Sequence, residues 1–232
     1  MEIQSNSLYL SKDEFFYSFK EQTKGITHKV FLESGRGGHY SIAAWNPFVI
    51  VKSVEEGIHI TWQNGQTELR NGESLALVEE LINKYKLEVD SSLPPFQGGA
   101  IGFIAYDYAR KIERLPQLAE DTLNVPDLYF YLFTEWAVHN VKTDEVTLMK
   151  LQQSVVDLTE WANEWGAAAT TGLHSRLFHA GKAVDVVNDE NELQISFSNE
   201  QFQQAVRRIQ EYISAGDVFQ VNLSVQQAKK LN

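Results

Sequence analysis

Four residues in the first fifth of the chain have side chains suited to holding a small polar ligand. Glu33 and Ser34 precede a glycine-rich stretch, and Tyr40 and Ser41 follow it. A carboxylate can pair with an ammonium group, hydroxyls can donate to a carboxylate, and an aromatic ring supplies an apolar wall. An ordinary strand–turn–strand with polar residues at its ends explains the same pattern. The residue types alone therefore leave ligand binding and plain structure both open.

A second polar set lies near the C-terminal end, where strict alternation predicts a strand. The apolar positions are Phe219, Val221, Leu223 and Val225, and the polar positions between them are Gln220, Asn222 and Ser224. Alternation places the three polar side chains on one face of that strand. They face either a functional site or water, and the pattern favours neither.

Several kinds of site are excluded by the residues that the sequence lacks. There are no cysteines, which rules out disulfides, thiolate nucleophiles and cysteine-ligated metals. The six histidines form no H-E-x-x-H or comparable cluster, so no metal site is predicted. Gly98, Gly99 and Gly102 do not form a G-x-G-x-x-G motif, and strand-like residues follow them. Close strand packing or a bulge is the predicted reason for these glycines.

The elements that position these residues follow from periodicity and turn signals. Ser11 and Glu14 have capping-box spacing and predict a helix that begins after Ser11. Asn64-Gly65 predicts a hairpin turn, and the pattern over 73–85 predicts an amphipathic helix. Strands are predicted over 29–33, 40–44, 48–54, 57–62, 67–69, 128–133, 136–140 and 146–151.

The last third of the chain divides into a helix, a linker and the start of a second domain. A helix is predicted over 155–165, with Trp161 and Trp165 on its packing face. Residues 166–191 show no sustained periodicity and are interpreted as a linker. Ser198 predicts the start of another helix, which ends before Gly216. The predicted domains are therefore 1–165 and 192–232, the second being only the start of a domain because its helix and strand have nothing to pack on.

Composition points to a globular protein of the cytoplasm. Hydrophobic residues make up 43% and charged residues 22% of the 232 residues, which is enough for a core. A net charge of -11 excludes a nucleic-acid partner, because phosphate recognition needs clustered Lys and Arg. The first residues have neither the basic nor the apolar region of a secretion signal, and no apolar run approaches the roughly 20 residues that span a bilayer.

Three segments, in this order and spacing, resemble a known enzyme family over nearly the whole chain. They are Phe31–Ala43, Gln97–Arg110 and Ala215–Ser224, the last containing Phe219-Gln220-Val221-Asn222-Leu223-Ser224. Together they are similar to component I of aminodeoxychorismate synthase and of anthranilate synthase. The resemblance implies an α+β fold of mostly antiparallel sheets in two layers with flanking helices, followed by a chorismate-binding domain.

The resemblance also implies a reaction and its partners. In this family a Mg²⁺ ion held by carboxylates anchors chorismate, and ammonia from a glutamine amidotransferase subunit replaces a ring hydroxyl. The segments that carry this chemistry follow the matching part of the family, so no catalytic residue is assigned to this chain, and the chain alone is expected to be inactive. Val221–Ser224 and Ser34–Gly38 are closer to the aminodeoxychorismate branch, which supplies p-aminobenzoate for folate, than to the anthranilate branch of tryptophan synthesis.

Glu33, Ser34, Tyr40 and Ser41 align with residues that line a tryptophan pocket in relatives. Ala43 and Ala44 stand where pocket-lining aromatic and acidic residues can occur, and part of the family pocket comes from the catalytic half. Three roles for this chain thus remain: the scaffold or regulatory part of a synthase, a non-catalytic module that binds tryptophan or docks the amidotransferase, and a purely structural domain. In the complete enzyme, Gln220, Asn222 and Ser224 are the candidates to face the active site.

Overall fold

The computed structural model describes residues 2–115, 121, 123–179 and 194–229, with side chains in the long helix described as far as Thr170. The chain divides into an N-terminal unit, Met1–Ala180, and a C-terminal unit, Gly181–Asn232. The domain boundaries expected from the sequence, 1–165 and 192–232, stay a prediction.

The first sheet of the N-terminal unit contains both early and late parts of the chain. Its order is β1-β10-β9-β3-β2, and every neighbouring pair is antiparallel. The strands are β1 Ile3–Tyr9, β2 Lys29–Leu32, β3 Tyr40–Trp45, β9 Glu135–Asn140 and β10 Glu145–Leu151. All but β1 are predicted from the sequence.

The second sheet is formed by the middle of the chain and has the order β6-β5-β4-β8-β7, again antiparallel. Its strands are β4 Val49–Val54, β5 Gly57–Trp62, β6 Thr67–Asn71, β7 Ala100–Ile104 and β8 Leu128–Leu132. The hairpin predicted at Asn64-Gly65 is confirmed: Gly65 has φ 84° and joins β5 to β6. Such a left-handed φ is readily adopted by glycine.

Local signals place the helix ends. The helices are α1 Lys12–Gln22, α2 Ser74–Lys84, α3 Ala109–Ile112, α4 Leu158–His179 and α5 Asn199–Ala215, with a 3₁₀ turn over Tyr106–Tyr108. The capping box of Ser11 and Glu14 is confirmed, as is that of Ser198 and Gln201. Gly216 ends α5 in the left-handed conformation, φ 82°.

Three apolar clusters show that the N-terminal unit has four layers. One, around Phe15, Trp45 and Trp165, lies between helices α1 and α4 and the first sheet. A second, around Trp136 and Met149, fills the space between the two sheets. The third packs α2 on the outer face of the second sheet. The predicted α+β class, with two antiparallel sheet layers and flanking helices, is confirmed.

Gly102 permits a close approach of two strands, which confirms the structural interpretation of this glycine. A Cβ added at Gly102 would lie 2.0 Å from the carbonyl oxygen of Tyr129 on the paired strand β8. No side chain fits in that space. The glycine therefore seats β7 against β8.

The linker prediction is wrong for residues 166–179, because α4 continues through them to His179. The helix continues because it has a partner. Trp165 and Ala169 are buried in the apolar cluster between the helices and the first sheet. The hydroxyl of Ser18 in α1 donates to the Trp165 carbonyl at 2.8 Å. Tertiary packing thus stabilises α4 as far as Ala169 in spite of the weak periodicity of its sequence. Residues 180–191 of the predicted linker lie outside the described residues.

The strand predicted over Phe219–Val225 is also wrong. Residues 218–226 have neither helix nor strand, and the short β12, Gln227–Ala228, pairs instead with β11, Gln194–Ile195. Alternation predicts which face of a strand would be buried, but a strand also needs a hydrogen-bonding neighbour. Among the described strands, none pairs with 219–225.

No helix in the described part of the chain is long and apolar enough to cross a membrane.

Candidate functional site

The four residues predicted to bind a ligand lie at the ends of two paired strands. Strand β2 ends at Leu32, which is opposite Ile42 of β3, so the chain segments that follow Leu32 and precede Ile42 lie side by side. Between them the chain turns, and the Gly38 amide donates to the Gly35 carbonyl at 3.0 Å. This turn positions Ser34 beside Ser41.

Ser34 and Ser41 form the centre of this site. The Ser34 amide donates to the Ser41 hydroxyl oxygen at 3.0 Å, and Ser41 is buried. The Ser34 hydroxyl is buried as well but has no hydrogen-bond partner among the described residues. A Cβ at Gly38 would lie 2.5 Å from that oxygen, so the turn closes directly over it. An unpaired buried hydroxyl costs about 1–3 kcal/mol, which a ligand group could recover.

Glu33 and Tyr40 are placed differently from the two serines. The Glu33 carboxylate pairs with the Lys12 ammonium at 2.7 Å, and both side chains are more than half exposed. Such exposed pairs contribute about 0–1 kcal/mol and separate readily. Tyr40 is 38% exposed. The structure thus joins Ser34 and Ser41 but leaves Glu33 occupied by a lysine and Tyr40 at the surface; a pocket formed by all four stays a prediction.

His139 is a further candidate residue that the sequence interpretation missed. It lies opposite Ser41 in the antiparallel pair of β3 and β9 and is fully buried. Its ring stacks on Phe15 with centroids 5.1 Å apart, and neither ring nitrogen has a hydrogen-bond partner among the described residues. The nearest carboxylate oxygen, on Asp144, is 3.6 Å from Nε2.

Burial lowers the pKa of His139, and the charge of Asp144 opposes this effect only in part. The ring is therefore held neutral near pH 7, with one nitrogen able to donate and one able to accept. The sequence contained a usable signal: Ala137 and His139 share one face of β9, and Ala137 belongs to the buried cluster beneath α1. The sequence prediction considered the histidines only as metal ligands and therefore missed His139.

The three polar residues of the predicted C-terminal strand do not form a described site. Gln220, Asn222 and Ser224 are exposed and lie outside any strand. Among the described residues, no group of three or more His, Asp or Glu side chains could hold a metal ion. None of the described residues is thus assigned to a metal.

Comparison with known proteins gives one family and several relatives. The family model described as chorismate binding enzyme matches residues 27–232. Aminodeoxychorismate synthase component 1 of Bacillus subtilis is 34% identical over 229 residues, which are 95% of this chain and 46% of that protein. Anthranilate synthase component 1 of Acetivibrio thermocellus is 28% identical over 205 residues, 83% of this chain and 41% of that protein.

A solved structure, anthranilate synthase component I from Streptococcus pneumoniae, is 26% identical and superposes with a TM-score of 0.49 over 85% of this chain and 43% of its own. This chain spans less than half the length of each of these proteins.

Proposed function

Because the chain belongs to the family of chorismate binding enzymes and is a homologue of component 1 of aminodeoxychorismate synthase, we propose that it is the N-terminal scaffold or regulatory part of that synthase. The complete protein would aminate chorismate to 4-amino-4-deoxychorismate, the precursor of p-aminobenzoate and folate. Its ammonia would come from a glutamine amidotransferase subunit in the cytoplasm.

The observation that carries this proposal is the match to the Bacillus subtilis relative, which has higher identity and extends over more of the chain than the match to the Acetivibrio thermocellus anthranilate synthase. Anthranilate synthase component I is the close alternative, since it belongs to the same family. The Mg²⁺ ion that the family resemblance implies would be held by carboxylates outside the described residues.

The choice between the two products is tested with the protein encoded by the complete reading frame. It is incubated with chorismate, Mg²⁺ and ammonium, and the products are separated by liquid chromatography. We expect 4-amino-4-deoxychorismate; anthranilate, which is recognised by its fluorescence, would move the protein to the other branch.

The 232-residue chain is assayed beside it and is expected to give no product, because the family resemblance implies that the residues which bind chorismate and the metal belong to later segments. Magnesium-dependent amination by this shorter chain would contradict the scaffold role.

A second function, tryptophan binding without chemistry, is favoured by one observation. The buried Ser34 hydroxyl has no partner among the described residues, and the Ser34 amide donates to the Ser41 hydroxyl. Calorimetric titration with tryptophan should then give saturable heat that Ser34→Ala removes. The matched control is Ser7→Ala, in β1. Equal heats from the two variants would show that the Ser34 hydroxyl does not contribute to tryptophan binding.

A further inference from the structure

The apolar space between the two sheets is open on one side of the N-terminal unit. There a cavity of about 440 Å³ lies between β2, which contributes Val30 and Leu32, and β7, which contributes Ile101 and Phe103. Among the described strands, each of these two strands is paired on one side only. The volume lies within the roughly 300–1,000 Å³ of small-molecule sites.

One wall of this groove is built from aromatic rings. Phe103 and Tyr129 are nearly parallel, with an angle of 14° between ring planes and centroids 6.2 Å apart. Tyr131 meets Tyr129 edge to face, with centroids at 5.1 Å. Phe103 is 43% exposed and Leu32 on the opposite wall is 46% exposed. Flat apolar surfaces on both sides suit a planar ring.

Among the described residues that line the groove, one is charged, and its charge is positive. Lys52 of β4 lies directly opposite Tyr129 of β8 in the sheet register. The described lining residues include no carboxylate, and Lys52 forms no ion pair within the described part of the chain. An ammonium at the edge of an apolar groove favours a ligand with one negative group.

Hydroxyl groups behind the aromatic wall add neutral polar character. The Tyr131 hydroxyl lies 3.2 Å from Nδ1 of His28 and donates to the Tyr129 hydroxyl at 3.4 Å. Burial is the main cause that raises the pKa of Tyr131, so its hydroxyl stays protonated at neutral pH. The wall therefore brings no negative charge that would repel an anion.

We propose that this groove binds a flat aromatic monocarboxylate, with its ring between the Val30–Leu32 wall and the Phe103–Tyr129 wall and its carboxylate at Lys52. An added ammonium on the ligand is disfavoured, because Lys52 repels it and none of the described lining residues offers a carboxylate to pair with it. The groove is separate from Ser41, which lies on the opposite face of the first sheet: Ser41 shares the face of Ala43 and Trp45, which pack beneath the helices.

The test is calorimetric titration of the 232-residue chain with three probes that share one ring system. Indole-3-propionate has a carboxylate, indole has no charge, and tryptamine has an ammonium. We expect one saturable site for indole-3-propionate, at least fivefold weaker binding of indole, and still weaker binding of tryptamine, since a hydrogen bond to a charged group is among the stronger ones.

Two variants and one control locate the site. Lys52→Met should weaken indole-3-propionate about fivefold or more and bring it level with indole, and Phe103→Ala should weaken both ligands. Lys142→Met, at an exposed lysine in the turn after β9, should leave binding unchanged. Circular dichroism confirms that each variant is folded.

Absence of saturable heat with indole-3-propionate overturns the proposal. So does an unchanged affinity in Lys52→Met. None of these outcomes bears on the amination assay of the complete protein, because no residue that lines the groove is assigned a role in amination.

Discussion

The two units differ in how their apolar side chains are covered. In the N-terminal unit, Phe15, Trp136 and Trp165 are fully buried between layers. Among the described residues of the C-terminal unit, 194–229, no side chain is buried, and Phe219 is 93% exposed. Yet helix α5 of that unit has a complete capping box and a left-handed glycine at its end, as regular as any helix of the first.

The difference shows which elements of secondary structure depend on residues far away in the sequence. Helix ends are satisfied by atoms within a few residues, so α5 forms from its own sequence signals. A strand needs a neighbour for its hydrogen bonds. Strand β10 has β1 on one side and β9 on the other, whereas the alternating residues 219–225 pair with no described strand.

The largest expected effect on stability comes from comparing a buried aromatic residue of the N-terminal unit with an exposed one of the C-terminal unit. Trp165→Ala should lower the free energy of unfolding by about 3–5 kcal/mol, because it leaves a cavity beneath α1 and α4. Phe219→Ala, which removes an equally aromatic but exposed side chain, should change it by less than about 0.5 kcal/mol. Urea denaturation followed by circular dichroism measures both; similar losses would end the comparison.

A second prediction concerns the close approach of β7 to β8. Gly102→Ala should destabilise the N-terminal unit by about 1–3 kcal/mol, since the new methyl group meets the Tyr129 carbonyl and the strands must move apart. Gly35→Ala is the control, because a Cβ there meets nothing within 4 Å. Thermal unfolding of the two variants should differ accordingly, and equal midpoints would show that β7 adjusts freely.

The third prediction is a pH dependence that arises in the N-terminal unit. Since the pKa of His139 is lowered by folding, the unfolded state binds a proton more readily than the folded state. The contribution of His139 is thus complete above the ordinary histidine pKa of about 6.5 and is lost as the pH falls below it, by up to about 1.4 kcal/mol per pH unit.

The protonated ring would meet Asp144 and Lys12, which oppose each other in their effect on its charge. His139→Phe keeps the ring stacked on Phe15 and should remove this part of the pH dependence, whereas His39→Phe at an exposed position should retain it. Urea denaturation between pH 5 and 7.5 makes the comparison; parallel curves for wild type and His139→Phe would rule out His139 as the source.

The smallest effect compares two capping boxes of the same design. Ser11→Ala and Ser198→Ala should each cost about 1 kcal/mol in their own helix. The first should lower the unfolding midpoint of the N-terminal unit, because α1 packs on its core. The second should reduce the helicity that circular dichroism measures, because the box holds the start of α5. Unchanged helicity in Ser198→Ala would show that the box does not stabilise α5.

Short-range chemistry accounts for what the sequence could predict. Both capping boxes, the Asn64-Gly65 turn and the close contact at Gly102 depend on residues a few positions apart or on the size of one side chain. Strand β1 was missed because its residues alternate poorly and it forms by pairing with β10, far along the chain. The extension of α4 depends in the same way on contacts with α1.

The candidate site shows the same limit. Sequence resemblance pointed to Ser34 and Ser41, which do lie in hydrogen-bond contact. It could not show that Glu33 pairs with Lys12 or that His139 lies opposite Ser41, since both relations are created by the sheet and the helix above it. The groove at Lys52 likewise depends on how two strand edges face each other.

The pairing of early with late residues in the N-terminal unit affects how the unit folds during synthesis. Strand β1 pairs with β10, and Ser18 in α1 reaches Trp165, 147 residues later. On a ribosome, which releases the N terminus first, β1 and α1 must wait for nearly the whole unit to emerge before their partners exist. Contacts of such sequence separation fold slowly and leave apolar surface uncovered meanwhile. Phe15 and Phe19 therefore stay incompletely buried until Trp165 and Trp45, the aromatic residues that they contact, have been synthesised.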